Sequence, residues 1–266
     1  MVAAPGELML LDDAASLASA AADRFCAWLG AAIESRGEAH VALTGGSSAG
    51  ALYTALRAPE RRAALDWRRL HLWWGDERFV PLDHRESNAG LAIRILFESG
   101  LDEQIDHSGA LPIPSANVHP VPCEEAIAHD REPAWAAERY AEMLRTSVPH
   151  TAEGLPALDL ILLGLGTDGH ILSAFPGSAA LAADAPAVLA VPAPTEVAPH
   201  LARITLATRV LGGAGRILVM VPGPAKAEVV ARVLHGDSGG SPPPACQALL
   251  PSATWLLDRD SASSLG

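Results

Sequence analysis

The stretch Leu158–Gly177, LDLILLGLGTDGHILSAFPG, sets an apolar run directly before a glycine-rich turn that carries Asp168 and His170 two residues apart. Histidine has an unperturbed pKa near neutrality, and a neighbouring carboxylate can orient its ring and support its charged form, which is what a general base requires. Gly164, Gly166 and Gly169 release the backbone from ordinary φ/ψ limits, so main-chain N–H groups can approach a bound group closely. A lone histidine in a turn reads as a solvated polar residue. Here an apolar strand, three glycines, Asp, His and a closing Phe175-Pro176-Gly177 point together to a catalytic loop. The GxGxxG spacing of Gly164–Gly169 also fits a dinucleotide fingerprint, but that motif needs a helix to start at once, and Phe-Pro-Gly interrupts it.

A second turn, Thr44–Gly50 (TGGSSAG), joins an apolar strand to a helix of small residues. Its GxSxG spacing suits a nucleophile elbow with Ser48 attacking an acyl group. Only about two strands precede it, however, and no HGGG-like oxyanion segment is present. Backbone N–H groups at a helix start bind phosphate well, so Gly45, Gly46 and Ser47 read better as an anion site, and without the P-loop lysine they are not a nucleotide loop. The polar cluster Gly75–Val80 (GDERFV) follows the apolar strand that ends in Trp73-Trp74, on the same sheet edge as the histidine turn. As a solvated turn it would hold a weak ion pair. As a functional one it offers Arg78, whose permanently charged guanidinium could hold or polarise an oxyanion. Arg203 opens the strand RITLA, and Lys226 stands at a helix start, where the helix dipole disfavours a cation.

The elements that must position these groups alternate along the chain. Strands are expected at Glu7–Leu11, His40–Thr44, Leu70–Trp74, from Leu158, and at Val188–Val191, Arg203–Leu206, Arg216–Val221 and Thr254–Leu257. Helices are expected over Asp13–Arg36 with Gly37 as its stop, Ala49–Leu56, Ser87–Glu98 capped by Ser87, Ala134–Ser147 and Lys226–Leu234. Gly100–Pro122 reads as a long surface connection, and Gly236–Ala245 as a flexible Gly/Pro turn. Apolar strands separated by helices predict a mostly parallel sheet covered on both faces, whose carboxyl edge is where ligands bind.

The 266 residues, 49% hydrophobic, allow one large domain or two tightly joined ones. A net charge of −12 repels nucleic acid and anionic membrane, so an anionic substrate needs local cations. Met1–Leu11 has no basic n-region or signal-length apolar run, and no run approaches the ~20 residues that span a bilayer, which predicts a soluble cytoplasmic protein. Cys26, Cys123 and Cys246 are widely spaced and odd in number, so they read as buried or free thiols rather than a disulfide framework or metal site.

Taken in order, TGGSSAG (44–50), GDERFV (75–80), Ser87-Asn88, GLGTDGHILSAFPGS (164–178), RITLA (203–207) and GPAK (223–226) resemble the 6-phosphogluconolactonases of the glucosamine-6-phosphate isomerase/6-phosphogluconolactonase family. The resemblance implies a single α/β domain over residues 1–266, with a Rossmann-like mostly parallel sheet and helices on both faces, and neither metal nor redox cofactor. It implies a sugar-phosphate lactone as substrate: 6-phosphogluconolactone opened to 6-phosphogluconate, the second step of the pentose phosphate pathway. His170, oriented by Asp168, is then the base, with the oxyanion held by glycine-turn N–H groups, Gly169 among them, or by Arg78. Gly45, Gly46 and Ser47 hold the phosphate with Arg203 and Lys226, and Asp76, Ser87 and Asn88 shape the sugar end. Members often carry Pro where this chain has Thr167 and Leu where it has Ala174. Two other readings stand beside this one. A glucosamine-6-phosphate deaminase would need a Glu five residues beyond the histidine, where this chain has Phe175. A non-catalytic sugar-phosphate sensor would normally join a DNA-binding module, and no basic patch or helix-turn-helix segment is evident.

Overall fold

The computed structural model describes residues 4–97, 110–236 and 241–266. Strand β1 (Glu7–Leu11) leads into helix α1 (Ala14–Arg36), where the Ser16 N–H donates to the Asp13 carboxylate at 2.7 Å and caps the first turn. The helix buries Leu17, Ala21, Phe25, Leu29 and Ile33, the stripe its three- and four-residue spacing predicts, and stops at Gly37 with φ 87°. There follow β2 (Ala39–Leu43), α2 (Gly46–Leu56), α3 (Pro59–Ala64), β3 (Leu70–Trp74), β4 (Asp76–Arg78), α4 (Asn88–Leu96), α5 (Cys123–Ala128), α6 (Pro133–Ser147), β5 (Leu160–Gly164), β6 (Val188–Val191), β7 (Arg203–Leu206), β8 (Arg216–Val221), α7 (Ala227–His235) and β9 (Ala253–Asp258).

Six strands form one parallel sheet in the order β1-β9-β8-β5-β2-β3. Every residue of β2 and β9 is buried, as is all of β5 before Gly164, which requires cover on both faces and explains their unbroken apolar runs. From β2 the chain moves outward to β3, whereas from β5 it moves the other way, to β8 and β9. The connections leaving the carboxyl ends of β2 and β5 therefore diverge, opening the crevice where α/β sheets of this kind bind ligands.

Three expectations need correction. Val188–Val191 and Arg203–Leu206 are strands, but they lie outside the parallel sheet, in a three-stranded antiparallel sheet ordered β4-β7-β6. Parallel pairing needs a crossover, usually helical, and the Pro-containing link 192–202 has no helix to supply one. The cluster Asp76-Glu77-Arg78, read as a polar turn, is the third strand of that sheet. Finally, residues 110–122 are not a surface connection: Leu111, Ile113, Val118 and Val121 are buried, and Val118 bridges Leu72 at the edge of β3. The rest of that expected connection, the end of the helix expected to reach Glu98, and residues 237–240 of the Gly/Pro turn lie outside the described residues. Helix α2 also starts at Gly46, three residues earlier than expected, which places Gly46 and Ser47 in its first turn.

Candidate active site

The turn after β2 is held by Tyr53 of α2, whose hydroxyl donates to Thr44 O at 2.6 Å and accepts from Thr44 N–H at 3.2 Å. Gly45 is the N-cap of α2, and no side chain caps the helix. A Cβ at Gly45 would overlap the Asn88 carboxamide, so only glycine lets Asn88 lie against this turn. The first N–H groups of α2, with their partial positive charge, are therefore left without a side-chain acceptor beside the crevice.

Across the crevice, the turn after β5 folds back on itself, Gly166 N–H donating to His170 O at 2.8 Å and Gly169 N–H to Gly166 O at 3.0 Å, with Gly169 at φ 90°. This brings His170 Nδ1 to 2.5 Å from Asp168 Oδ1. A carboxylate only accepts, so Nδ1 carries the hydrogen and a neutral ring presents Nε2 as its acceptor. The Phe175 ring packs against the imidazole, centroids 4.7 Å apart at 49°, and fixes its tilt. Burial raises the Asp168 carboxyl's pKa, but the hydrogen bond and charge of His170, with backbone N–H groups, outweigh it and hold the carboxyl below its ordinary value.

The second sheet delivers the cations. β4 and β7 pair so that Arg78 lies directly opposite Arg203. Arg203 is 3% exposed, and one of its amino groups donates to Pro199 O at 2.9 Å, while Nε and Nη1 have no partner among the described residues. Arg78 donates to Glu86 O at 2.6 Å and likewise leaves Nε unpaired. Burial, with the Arg78 charge adding to it, lowers the Arg203 pKa to about 10 against the pull of Asp76, Glu77 and Glu86, so it stays charged at neutral pH. Like charges in cross-strand register repel, and buried N–H groups without acceptors are costly. An anion in the crevice would relieve both penalties. Lys226 ends the short turn Pro224–Lys226 ahead of α7, and burial lowers its pKa while the Asp168 carboxylate opposes the shift.

Glu77, 2% exposed, accepts N–H groups from Arg78, Asn88 and Ala89 at 2.7–2.8 Å and the Ser87 hydroxyl at 3.1 Å, so it anchors the start of α4. Burial pushes its carboxyl pKa up against those N–H groups. That anchor places Asn88, whose Nδ2 donates to Asp76 O at 2.8 Å and whose Oδ1 has no partner among the described residues. Asp76 in turn accepts the Ser173 hydroxyl at 2.6 Å.

These groups converge on one open crevice of about 260 Å³. Gly45, Gly46, Ser47, Asp76, Arg78, Asn88, His170, Arg203 and Lys226 line it. Ser87, Gly169 and Asp168 do not. Ser87 faces away, capping α4 through Gly90 N–H at 2.9 Å and lining a separate cavity of about 80 Å³, so its expected place at the sugar end is corrected. Gly169 packs against Pro243 and donates its N–H to Gly166 O, facing away from the crevice, so its expected place at the oxyanion is corrected; Asp168 stands behind His170. Beyond the expected residues, Ser173 brings a hydroxyl to the crevice, Val197 and Ala198 of the 192–202 link form part of its wall, and Glu77 orders the start of α4 beside it. Ser173 lies three residues past the Asp168-Gly169-His170 unit, so its nearness to that unit is a local signal. The others carry no local signal.

Residues 12–256 match the family described as glucosamine-6-phosphate isomerases/6-phosphogluconolactonase. The 6-phosphogluconolactonase of Mycobacterium tuberculosis is 35% identical over 257 residues, covering 96% of this chain and 97% of that one. That of Streptomyces coelicolor is 35% identical over 261 residues, covering 97% and 94%. Among solved structures, 6-phosphogluconolactonase from Trypanosoma cruzi superposes with a TM-score of 0.84 at 24% identity, over 100% of this chain and 98% of that one, a likeness of fold. With full-length relatives at this identity and the family match running from α1 into β9, the chain belongs to the glucosamine-6-phosphate isomerase/6-phosphogluconolactonase family.

Proposed function

We propose that the protein hydrolyses 6-phosphogluconolactone to 6-phosphogluconate, the lactone-opening step of the pentose phosphate pathway. The observation that carries this reading is the His170–Asp168 pair, set in a crevice that also holds three cations and an uncapped helix start. The phosphate lies against the first turn of α2, at Gly45, Gly46 and Ser47, between Arg203 and Lys226. The charged Arg203 guanidinium, which lines the crevice, supports this. Asp76 and Asn88, which line the crevice beside this turn, contact sugar hydroxyls.

His170 Nε2 takes a proton from water as that water attacks the lactone carbonyl, forming the C–O bond and an oxyanion. Arg78 stabilises the negative charge, because the Gly166 and Gly169 N–H groups are already taken by His170 O and Gly166 O. Collapse of the intermediate breaks the bond to the ring oxygen, which leaves with the proton held by His170, and the acid product ionises. The alternative within the family, amino-sugar isomerisation, needs several positioned proton carriers, and the ring of Phe175 faces His170 where a further acid would stand. Supplying purified protein with 6-phosphogluconolactone and, separately, glucosamine 6-phosphate tests the reading. Acid release faster than spontaneous hydrolysis is expected from the first alone; ammonia release from the second would overturn it.

A further inference from the structure

The turn that carries Lys226 hangs from a residue near the end of the chain. β8 and β9 finish side by side with Val221 opposite Leu257, and the next residue, Asp258, is 2% exposed. Its two carboxylate oxygens both accept the Gly223 N–H, at 3.0 and 2.9 Å, and Oδ1 also accepts the Ser261 N–H at 2.8 Å. Fully buried Ser261 fixes the carboxylate from behind, its hydroxyl accepting Asp258 N–H at 3.1 Å and donating to Asp258 O at 3.2 Å. A carboxylate this deep is tolerable only with its lone pairs filled by donors. The sheet ladder is complete without this contact, so what the carboxylate orders is the Gly223 peptide. Gly223 has φ 91° and ψ 156°, a conformation open essentially to glycine, and its carbonyl receives the Lys226 N–H at 3.2 Å. The path from Asp258 to Lys226 is thus two hydrogen bonds long.

We infer that Asp258 is a positioning residue for substrate binding: by fixing the Gly223 peptide it sets where the Lys226 ammonium stands in the crevice. The inference rests on the reading of Lys226 as a phosphate ligand. The test is kcat and KM of Asp258→Ala and Asp258→Asn with 6-phosphogluconolactone and with glucono-1,5-lactone, the same ring without phosphate. Asp258→Ala is expected to raise KM for the phosphorylated lactone about tenfold with kcat little changed, and to leave kcat/KM for the plain lactone within about twofold. Asn keeps one oxygen able to accept both N–H groups but sets its amide nitrogen where Oδ2 stands, 2.9 Å from Gly223 N, so Asp258→Asn is expected to raise KM for the phosphorylated lactone by less than Ala does; a rise on both lactones alike would overturn the hydrogen-bond account. In a Lys226→Ala background Asp258→Ala is expected to add nothing, because the two act in series, and losses that multiply refute the link. If Asp258→Ala does not fold, Gly223→Ala strains the same turn without a clash, its Cβ having open space, and the same phosphate-selective rise in KM is expected. An equal fall on both lactones, or none, refutes the link. A Lys226→Ala variant that falls equally on both lactones refutes the phosphate reading itself, and the inference with it. A phosphate-selective Lys226→Ala beside a silent or unselective Asp258→Ala refutes the Asp258 link alone.

Discussion

A base is useful only if its lone pair points at the substrate, and in this chain two neighbours of His170 control that. Asp168 holds Nδ1 at 2.5 Å and Phe175 holds the ring plane, which leaves Nε2 for water. His170→Ala is expected to lower kcat by ~10²–10⁴-fold, the usual contribution of a general base, with little change in KM or Tm. A folded variant turning over at the parental rate would remove His170 from the reaction. Gly166 tests the geometry separately from the chemistry. A Cβ there would overlap both His170 Nδ1 and Asp168 Oδ1, although the Gly166 φ lies outside the left-handed region. Gly166→Ala must therefore push the pair apart while the backbone stays unstrained. Displacing a catalytic group by about 1 Å costs roughly a hundredfold in rate. The expected result is a fall in kcat of that order with an unchanged circular dichroism spectrum, and full activity would mean that the pair is not needed.

The elements divide into those a sequence can announce and those it cannot. α1, the parallel strands and both glycine turns follow from local spacing, and so does the His170–Asp168 pair, because everything that makes it lies within one turn. β4 does not: Asp-Glu-Arg has poor strand propensity, and it becomes a strand only because β7, far along the chain, pairs with it. The anchoring role of Glu77 and the Arg78–Arg203 pairing exist only once that sheet forms. The segment after α4 was missed for a similar reason, its apolar residues finding cover only at the edge of β3. There His119 stacks on Trp73 with centroids 4.1 Å apart, and its Nε2 lies 3.1 Å from His71 Nδ1; His40 and Glu38 face the same cluster. Burial first, then the His71 and His40 charges, pushes the His119 pKa down to about 4 from 6.5. Burial and His40 lower the His71 pKa too, against the pull of Glu38. At these two imidazoles the folded chain thus holds fewer protons than the unfolded one between about pH 6.5 and 4, so the stability they contribute is present above 6.5 and lost as pH falls through that window. Urea midpoints measured from pH 7 to 4.5 are expected to drop across it. His119→Asn should flatten that slope, and an unaltered slope would exclude His119 as a source of the acid sensitivity.

At the scale of the whole molecule, 31 acidic residues against 19 Lys and Arg give a net charge of −12, a field that opposes a dianionic sugar phosphate at every approach. The crevice reverses that sign locally. Arg78, Arg203 and Lys226 come from two different sheet edges to one cavity, and the helix start at Gly45–Ser47 adds its partial positive charge without a carboxylate to cancel it. If Arg203 and Lys226 hold phosphate, removing either deletes a charge-assisted hydrogen bond worth ~1.5–3 kcal/mol, or roughly a tenfold to hundredfold loss in kcat/KM. That loss should appear with 6-phosphogluconolactone and almost vanish with glucono-1,5-lactone, which carries no phosphate for the cations to meet. Arg78→Ala is expected to behave differently if its guanidinium meets the oxyanion, lowering turnover of both lactones alike, because the carbonyl is common to them. Measuring kcat/KM for both substrates across the three variants, each confirmed folded by its Tm, separates the two roles. Equal losses on both lactones for folded Arg203→Ala and Lys226→Ala would show that the phosphate is held elsewhere, and would leave the reversed charge of the crevice without its proposed purpose.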